Sequence, residues 1–416
     1  MRGHDAMQST RPPVYFDHHA TTPVDEQVYA AMMPYFCGEF GNAGSTHCFG
    51  RKVRPACDQA RKQVAALVGT ERVSDIVFTS GATESNNMAI KGVAFGSAHI
   101  GRHIITSKIE HQSILATCRY LETIGYEVTY VPCDQYGQVS AEAIEREIRH
   151  GAVGTKDRTV LISIMGANNE IGTINPVRAI SDLAKEHGIF FHIDGAQMVG
   201  KIPFSVMDVP ADLVSLSAHK IYGPKGIGAL YVNGSRADMA LTPLVHGGGQ
   251  EFGLRSGTMP VGLVVGLGAA CEIAYSKVGQ DQVKLQELVD EMWSALTAGE
   301  VEFSLNGHPR ERLPGNLNIC VRNIESELLD LCFKDIAVSS TSACSAAKRA
   351  PSHVLKAIGR SDDEALASVR FGFGRSNSLE EVRAAADRIV NGYRKFAGPP
   401  VLGSLTSVAQ RSNAVI

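Results

Sequence analysis

Short apolar runs alternate with amphipathic helical stretches between residues 75 and 232, and this alternation constrains the fold more than any other feature of the chain. The runs are rich in β-branched residues and read, in order, DIVFTS, HIITSK, VTYVPC, TVLISIM, IFFHID and LVSLS. Strands that are apolar on both faces and alternate with helices are typical of a parallel sheet covered on both sides. A further run, GIGALYVN, follows too closely for a crossover helix and predicts an antiparallel strand. The pattern therefore predicts an α/β fold with a mostly parallel sheet.

The remainder of the chain predicts a second, smaller α/β unit. Its signals are the helical stretch DQVKLQELVDEMWSALTAG, the strand patterns NLNICVRN and ASVRFGFG, and a helix capped by Ser378 with Glu381 three residues later. The predicted division is an N-terminal segment joining the small domain (1–21), a large domain (22–275), a small C-terminal domain (276–396) and a flexible tail (397–416).

Charge and cysteine usage narrow the functional class. The formal net charge of −3 provides no field that would hold nucleic acid. The longest apolar runs, such as residues 259–270, are too short to span a bilayer, and the first residues lack a secretory signal. Nine cysteines without a C-x-x-C pair argue against a disulfide framework or a structural zinc site. We therefore expect a cytoplasmic, enzyme-sized protein that binds no metal, nucleic acid or membrane.

Polar residues follow several of the predicted strands, at the sheet edge where open parallel sheets bind ligands. In chain order they include Ala82, Thr83, His111, Asn169, Asp194, Gln197, Ser217, His219 and Lys220. Turn residues and helix caps also collect at strand ends, so no single position identifies a site. The combination of these polar residues at one edge of the sheet predicts a ligand site.

The residue types in this pattern match pyridoxal phosphate. A helix that begins after Gly81, with Thr83 beside it, offers N–H groups and a hydroxyl to a phosphate, although the sequence contains no P-loop. Lys220 follows a strand that should be buried, and a desolvated lysine has a lowered pKa and forms Schiff bases. Asp194 is suited to a protonated ring nitrogen and His111 to stacking on an aromatic ring. Together they predict a pyridoxal-phosphate site.

The same residues lie in a set of motifs that resembles a known family. The motifs are YFDHHATTPVD, FTSGATESNN, IEHQSIL, NNEIGTI, HIDGAQ, SAHKIYGPKG, RSGTMP, SSTSACSA and VRFGFGR. In this order they resemble the cysteine desulfurases of the NifS/IscS type, which are fold-type I pyridoxal-phosphate enzymes of the class V aminotransferase family. The resemblance runs from about Tyr15 to Phe396. It implies a large domain with a seven-stranded, mostly parallel sheet and a smaller C-terminal domain.

The resemblance also assigns roles to individual positions. It implies that Lys220 forms the Schiff base, that Asp194 pairs with the pyridinium nitrogen, and that His111 stacks on the ring and assists proton transfer. It implies that the phosphate is held by Ala82, Thr83, Ser217 and His219, and that Thr258 reaches the phosphate of a second subunit in a homodimer. On the substrate side it implies that Gln197 and Asn169 lie near the ring oxygen and the substrate, that Arg370 binds the substrate carboxylate, and that Cys344 accepts the sulfur. The implied reaction converts L-cysteine to L-alanine and leaves a persulfide on the enzyme. An iron–sulfur scaffold or a thiolation protein is the implied acceptor, and Cys344 would be the residue to contact a cluster during transfer.

Cys344 lies in SSTSACSAAK, where almost every other residue is small. A free cysteine is more often a small buried apolar residue than a nucleophile. The cofactor site shifts this balance, because it supplies a sulfur for the thiolate to attack. We expect the remaining cysteines, such as Cys118, Cys271 and Cys320, to be core or surface residues without a catalytic role.

Three alternatives stay open on the sequence alone. A selenocysteine lyase would use nearly the same residues. A pyridoxal-phosphate aminotransferase would have no use for Cys344. A catalytically silent sulfur-transfer scaffold would need neither Lys220 nor Asp194, and it would lack the yellow colour of the bound cofactor.

Overall fold

The structure is a computed structural model that describes residues 13–340 and 350–397. Its strands are β1 (Val14–Tyr15), β2 (Ile76–Thr79), β3 (Gly101–Ser107), β4 (Glu127–Val131), β5 (Thr155–Met165), β6 (Phe190–Asp194), β7 (Leu213–Ser217), β8 (Gly228–Val232), β9 (Phe303–Leu305), β10 (Asn316–Val321), β11 (Ile336–Ala337), β12 (Ser339–Ser340) and β13 (Ser368–Gly372). Its helices are α1 (Glu26–Met32), α2 (Pro34–Cys37), α3 (Cys48–Val68), α4 (Ala82–Gly96), α5 (Gln112–Thr123), α6 (Ala141–Glu145), α7 (Val177–Glu186), α8 (Val261–Ala298), α9 (Ser326–Cys332), α10 (His353–Ala357), α11 (Asp362–Leu366) and α12 (Leu379–Phe396).

The main sheet has seven strands in the order β2-β8-β7-β6-β5-β3-β4. Every neighbouring pair is parallel except the two that involve β8, which runs antiparallel to both β2 and β7. The predicted α/β class, the mostly parallel sheet and the antiparallel addition are therefore confirmed.

Both faces of this sheet are covered, because neighbouring strand residues enter opposite apolar cores. Ile104 packs with α4 and α5 on one face, whereas Ile105 packs with α3, α7 and α8 on the other. Leu161 and Ile162 on β5 divide in the same way. Successive side chains of a strand point to opposite faces, so consecutive apolar residues are buried only when both faces of the sheet are covered.

Helix α8 joins the two units as one continuous element. Its first half, including Val264 and Ala274, packs in a core under the main sheet, and its last half, including Leu288 and Leu296, packs in a second core with β10, β13 and α12. The sequence predicted an apolar stretch followed by a separate helix, and the predicted division after residue 275 falls inside α8. The helix has the length and hydropathy of a membrane span, with half of its most apolar window buried inside the protein.

The second unit contains an antiparallel sheet of order β12-β13-β10-β9. Helix α12 begins at the predicted capping box, in which Ser378 Oγ accepts from the Glu381 N–H and the Glu381 side chain accepts from the Ser378 N–H. Its apolar face packs against α8 and α9.

The first described residues run along the second unit. Strand β1 pairs in parallel with β11, and Phe16 lies in the second core. The His18 N–H then donates to the carbonyl of Gly372, and the Gly372 N–H donates to the carbonyl of Phe16. This close approach requires glycine, because a Cβ at position 372 would lie 2.6 Å from a ring nitrogen of His19. The pairing brings residue 17 beside β13.

Candidate active site

A cavity of about 800 Å³ lies at the carboxyl ends of the parallel strands and extends to the second unit. Ten of the twelve predicted site residues line it, namely Ala82, Thr83, His111, Asn169, Asp194, Gln197, Ser217, His219, Lys220 and Arg370. Thr258 is exposed and lies outside this lining. Cys344 lies outside the described residues. The structure thus brings the ten residues together, while their individual roles stay predictions.

Lys220 ends a short 3₁₀ turn that directly follows β7. Its Nζ donates to the main-chain carbonyls of His19 and Ala20, at 2.7 Å each. Burial and, to a lesser extent, the positive charge of Arg370 lower the pKa of Lys220 to about 8. At neutral pH a lysine with such a pKa is neutral in roughly one molecule in ten, far more often than an ordinary lysine.

Asp194 ends β6 and is buried with its carboxylate held by two donors. Asn86 Nδ2 donates to Oδ2 at 2.8 Å, and the N–H of Ala196 donates to Oδ1 at 3.0 Å. The Asn86 amide also donates to Ser113 Oγ, which lies 2.9 Å from His111 Nδ1. This network fixes the position of the carboxylate at the floor of the cavity.

His111 is the N-cap of α5, and its Nδ1 accepts from the N–H of Ser113 at 3.1 Å. A ring nitrogen that accepts carries no proton, so the neutral ring holds its proton on Nε2. The analysis of the sequence missed Asn86 and Ser113. The available signal was helical spacing, because Asn86 lies four residues after Ala82 and therefore on the same face of α4.

Gln197 is positioned by two further groups. Its Nε2 donates to the carbonyl of His19 at 2.8 Å, and Lys201 Nζ donates to its Oε1 at 2.5 Å. Burial lowers the pKa of Lys201 well below its usual range. Lys201, four residues after Gln197, was not singled out from the sequence.

The end of the cavity at the start of α4 is suited to an anion. Helix α4 begins after Gly81, whose φ of 149° favours glycine and which provides no side-chain cap. The first N–H groups of a helix have no acceptor within the helix, and the helix dipole favours negative charge there. Ser217 and His219 line the same region. Burial and the nearby lysines lower the pKa of His219 to about 4, so its ring is neutral.

Arg370 reaches the cavity from β13 of the second unit. Its Nη1 donates to the carbonyl of Asn169 at 2.8 Å. Its Nη2 donates to Asp17 Oδ1 at 2.6 Å and to Ser339 Oγ at 2.7 Å, and Ser339 Oγ itself donates to Asp17 Oδ1 at 2.8 Å. The sequence analysis assigned no role to Asp17 or Ser339.

None of the cysteines in the described ranges lines the cavity. Burial raises the pKa of six of them, namely Cys57, Cys133 and Cys332, each to about 11, Cys118 to about 12, and Cys271 and Cys320 above their usual range. Because the thiolate is the nucleophilic form, these six are poor nucleophiles at neutral pH.

Described residues on both sides of positions 341–349 line the cavity, namely Ser339 before them and Ala350 and Ser352 after them.

Comparisons with known proteins agree with this geometry. The model of the family described as "Aminotransferase class-V" matches residues 14–384. The protein named "Cysteine desulfurase IscS" of Rickettsia bellii (strain OSU 85-389) is 44% identical over 385 residues, which cover 92% of each chain. A solved structure described as a NifS-like protein is 36% identical with a TM-score of 0.83, over 92% of this chain and all of the other. A second, "SspA in complex with cysteine", is 40% identical with a TM-score of 0.76, over 86% of this chain and 98% of the other.

Proposed function

This chain belongs to the class V aminotransferase family, among its cysteine desulfurases, and we propose that it uses pyridoxal phosphate to convert L-cysteine to L-alanine and to transfer the sulfur to Cys344. The observation that carries the proposal is Lys220, a half-buried lysine with a pKa of about 8, in one cavity with the buried carboxylate of Asp194. The complex of the relative SspA with cysteine supports cysteine as the substrate.

The cavity suits each functional group of pyridoxal phosphate. The molecule carries a dianionic phosphate, an aldehyde and a basic ring nitrogen. The uncapped start of α4 with Ser217 suits the phosphate, the neutral fraction of Lys220 suits the aldehyde, and the carboxylate of Asp194 suits a protonated nitrogen. When bound, the cofactor supplies an electron sink for the charge that develops at Cα of the substrate.

The residues of the chain supply binding and proton transfer. Arg370 would bind the substrate carboxylate with its planar guanidinium, which suits a two-pronged contact. Lys220 Nζ would remove the proton from Cα, a task that a base with a pKa near the working pH performs well. Asn86 would hold Asp194 in the orientation needed for the ring nitrogen.

The sulfur step breaks the substrate C–S bond and forms an S–S bond at Cys344. The thiolate of Cys344 attacks the substrate sulfur, the C–S electron pair stays with the carbon skeleton, and protonation completes alanine. L-cysteine and the enzyme thiol thus become L-alanine and an enzyme persulfide, with no external oxidant. Two equivalents of an added thiol then release sulfide and form one disulfide.

The test is a product assay on the cofactor-loaded enzyme. With ³⁵S-labelled L-cysteine and no reductant, we expect one equivalent of alanine per site and label on the protein that dithiothreitol removes. With dithiothreitol present, sulfide and alanine should form in equal amounts over many turnovers. Label that moves to an added iron–sulfur scaffold protein would support the acceptor class that the resemblance implies. Pyruvate formation or amino transfer without sulfide would contradict the proposal.

The lowered pKa of Lys220 predicts the pH dependence of cofactor capture. Only the neutral amine attacks the aldehyde, so the rate at which the cofactor-free protein captures pyridoxal phosphate should rise about tenfold per pH unit below the pKa, reach half its maximum near pH 8, and level off above pH 9. Stopped-flow absorbance measures this rate. A blocked lysine in solution is the comparison, with its midpoint near 10.4. A protein midpoint near 10 would contradict the burial argument.

We also propose that the enzyme works as a homodimer. Large apolar side chains are exposed around α1, α2 and the start of α3, namely Tyr29, Met33, Phe36, Phe40 and Phe49. The rings of Phe40 and Phe49 lie 5.5 Å apart, so this surface presents a joined apolar patch, which is typical of a protein interface. The exposure of Thr258 outside its own cavity is consistent with a contact to a second subunit.

The double substitution Phe40→Glu with Phe49→Glu is therefore expected to convert a dimer to a monomer, because two carboxylates would be desolvated in the interface. Sedimentation velocity at micromolar protein measures the change. Val153→Glu, at an equally exposed apolar residue before β5, should leave the dimer intact. A wild type that sediments as a monomer would contradict the proposal.

A further inference from the structure

The hydrogen-bond count at Arg370 leaves no free two-pronged site for a carboxylate. A guanidinium has five N–H groups, one on Nε and two on each terminal nitrogen. Either of its two-pronged faces uses an Nη2 hydrogen, paired with Nη1 or with Nε. Nη2 carries two hydrogens and already donates to two acceptors, Asp17 Oδ1 and Ser339 Oγ. Nε is buried and has no partner among the described residues.

A substrate carboxylate must therefore displace Asp17 or Ser339 before it can bind Arg370 in a two-pronged manner. Asp17 forms a charged pair with Arg370, with side chains only 19% and 9% exposed, and such charge-assisted bonds are about twice as strong as neutral ones. Ser339 is a neutral partner. It also lies in β12, a strand of two residues that, within the described ranges, pairs with β13 alone. Ser339 is thus the partner that costs less to displace.

We propose that Ser339 is a positioning residue that occupies the carboxylate position on Arg370 before the substrate binds and yields it when the substrate binds. This inference rests on the proposed function. Asp17 keeps its bond to Nη2 throughout and holds the guanidinium in the plane that the carboxylate needs. The hydroxyl of Ser339 keeps a partner after displacement, because it already donates to Asp17 Oδ1.

The proposal also accounts for the register of β12. Ser339 is paired directly with Arg370, so its hydroxyl reaches the guanidinium without any loop between them. The Nε–H of Arg370, which has no partner among the described residues, gains an acceptor when a carboxylate binds the face formed by Nε and Nη2. A carboxylate on that face therefore satisfies one more donor than Ser339 does.

The test measures binding of L-alanine, which carries the carboxylate and lacks the sulfur, to the cofactor-loaded enzyme by calorimetry and by the visible absorbance of the cofactor. Ser339→Ala removes the competitor, so Kd for L-alanine should fall about fivefold, equivalent to about 1 kcal/mol. Ser339→Thr keeps the hydroxyl on a strand-compatible side chain and should bind L-alanine as the wild type does. Ethylamine, which lacks the carboxylate, should bind all three proteins equally.

The outcomes separate this inference from the proposed function. If the wild type binds L-alanine and Ser339→Ala binds it with equal or weaker affinity, the displacement by the carboxylate is wrong while the function stands. If Ser339→Ala also bound ethylamine more tightly than the wild type by the same factor, the displacement would likewise be wrong, since the change in affinity would not depend on the carboxylate. A Thr variant that behaves like the Ala variant would show that the hydroxyl is not the cause. If the wild type fails to bind L-alanine, both the function and the inference fall.

Discussion

Lys220→Ala is expected to lower the rate of alanine and sulfide formation by roughly 10⁴-fold, the upper end of the usual contribution of a general base. The substitution removes the amine that captures the cofactor and the base that takes the proton from Cα. Its pKa of about 8 makes both tasks possible at neutral pH. The loss should be largely in kcat, because Arg370, which binds the substrate carboxylate, is unchanged. Steady-state assays with both products quantified measure the effect.

A matched control for this experiment is Lys185→Ala, in the exposed last turn of α7. It removes the same charge and the same chain length at a position far from the cavity lining, so activity should stay within twofold of the wild type. A Lys220→Ala enzyme with more than a few per cent of wild-type kcat would show that another base acts at Cα. Lys201, buried beside Gln197, would then be the first residue to examine.

Cys344→Ala is expected to abolish sulfide formation, to below about one thousandth of the wild-type rate, the scale of loss when an enzyme nucleophile is removed. The substitution removes the acceptor of the sulfur and leaves the cavity residues untouched. Binding of L-alanine should therefore be unchanged, and ³⁵S label should no longer stay on the protein. The measurements are the product assay and calorimetry on the same preparation.

Cys133→Ala is the matched control, because burial raises the pKa of this half-buried thiol to about 11 and keeps it protonated. It should retain wild-type activity. Equal activity of Cys344→Ala and the wild type would point instead to an aminotransferase or another lyase, for which a persulfide has no role.

Most of the cofactor half of the site was predictable from the sequence, and the reason is topological. Lys220, Asp194 and the start of α4 each follow a strand, and parallel strands end at one edge of their sheet. Recognising the strands was therefore enough to place these residues in one cavity. Their supporting partners were harder to find. Asn86 lies in the second turn of α4, where spacing alone does not separate a site residue from a helix surface, and Lys201 lies in a turn seven residues after the end of β6.

The carboxylate half was less predictable because it depends on long-range pairing. Asp17, Ser339 and Arg370 meet only because residues near the start of the chain and β12 both run along the same edge of β13, the edge that β10 leaves free. No local pattern encodes that meeting. The extent of α8 was missed for a different reason. Its exposed middle carries polar residues that interrupt the apolar pattern, although the helix continues through them into a second core.

The sequence positions of the two halves determine the order in which they are made. The ribosome completes the cofactor half when Lys220 emerges, together with the strand β8 that follows shortly after. The carboxylate half contains Asp17, among the first residues synthesised, but it waits for Ser339 and for Arg370, 150 residues after Lys220. At typical elongation rates this interval is roughly 10–30 s. The residues that we propose to hold the cofactor are thus synthesised well before Ser339 and Arg370, which we propose to act on the substrate carboxylate.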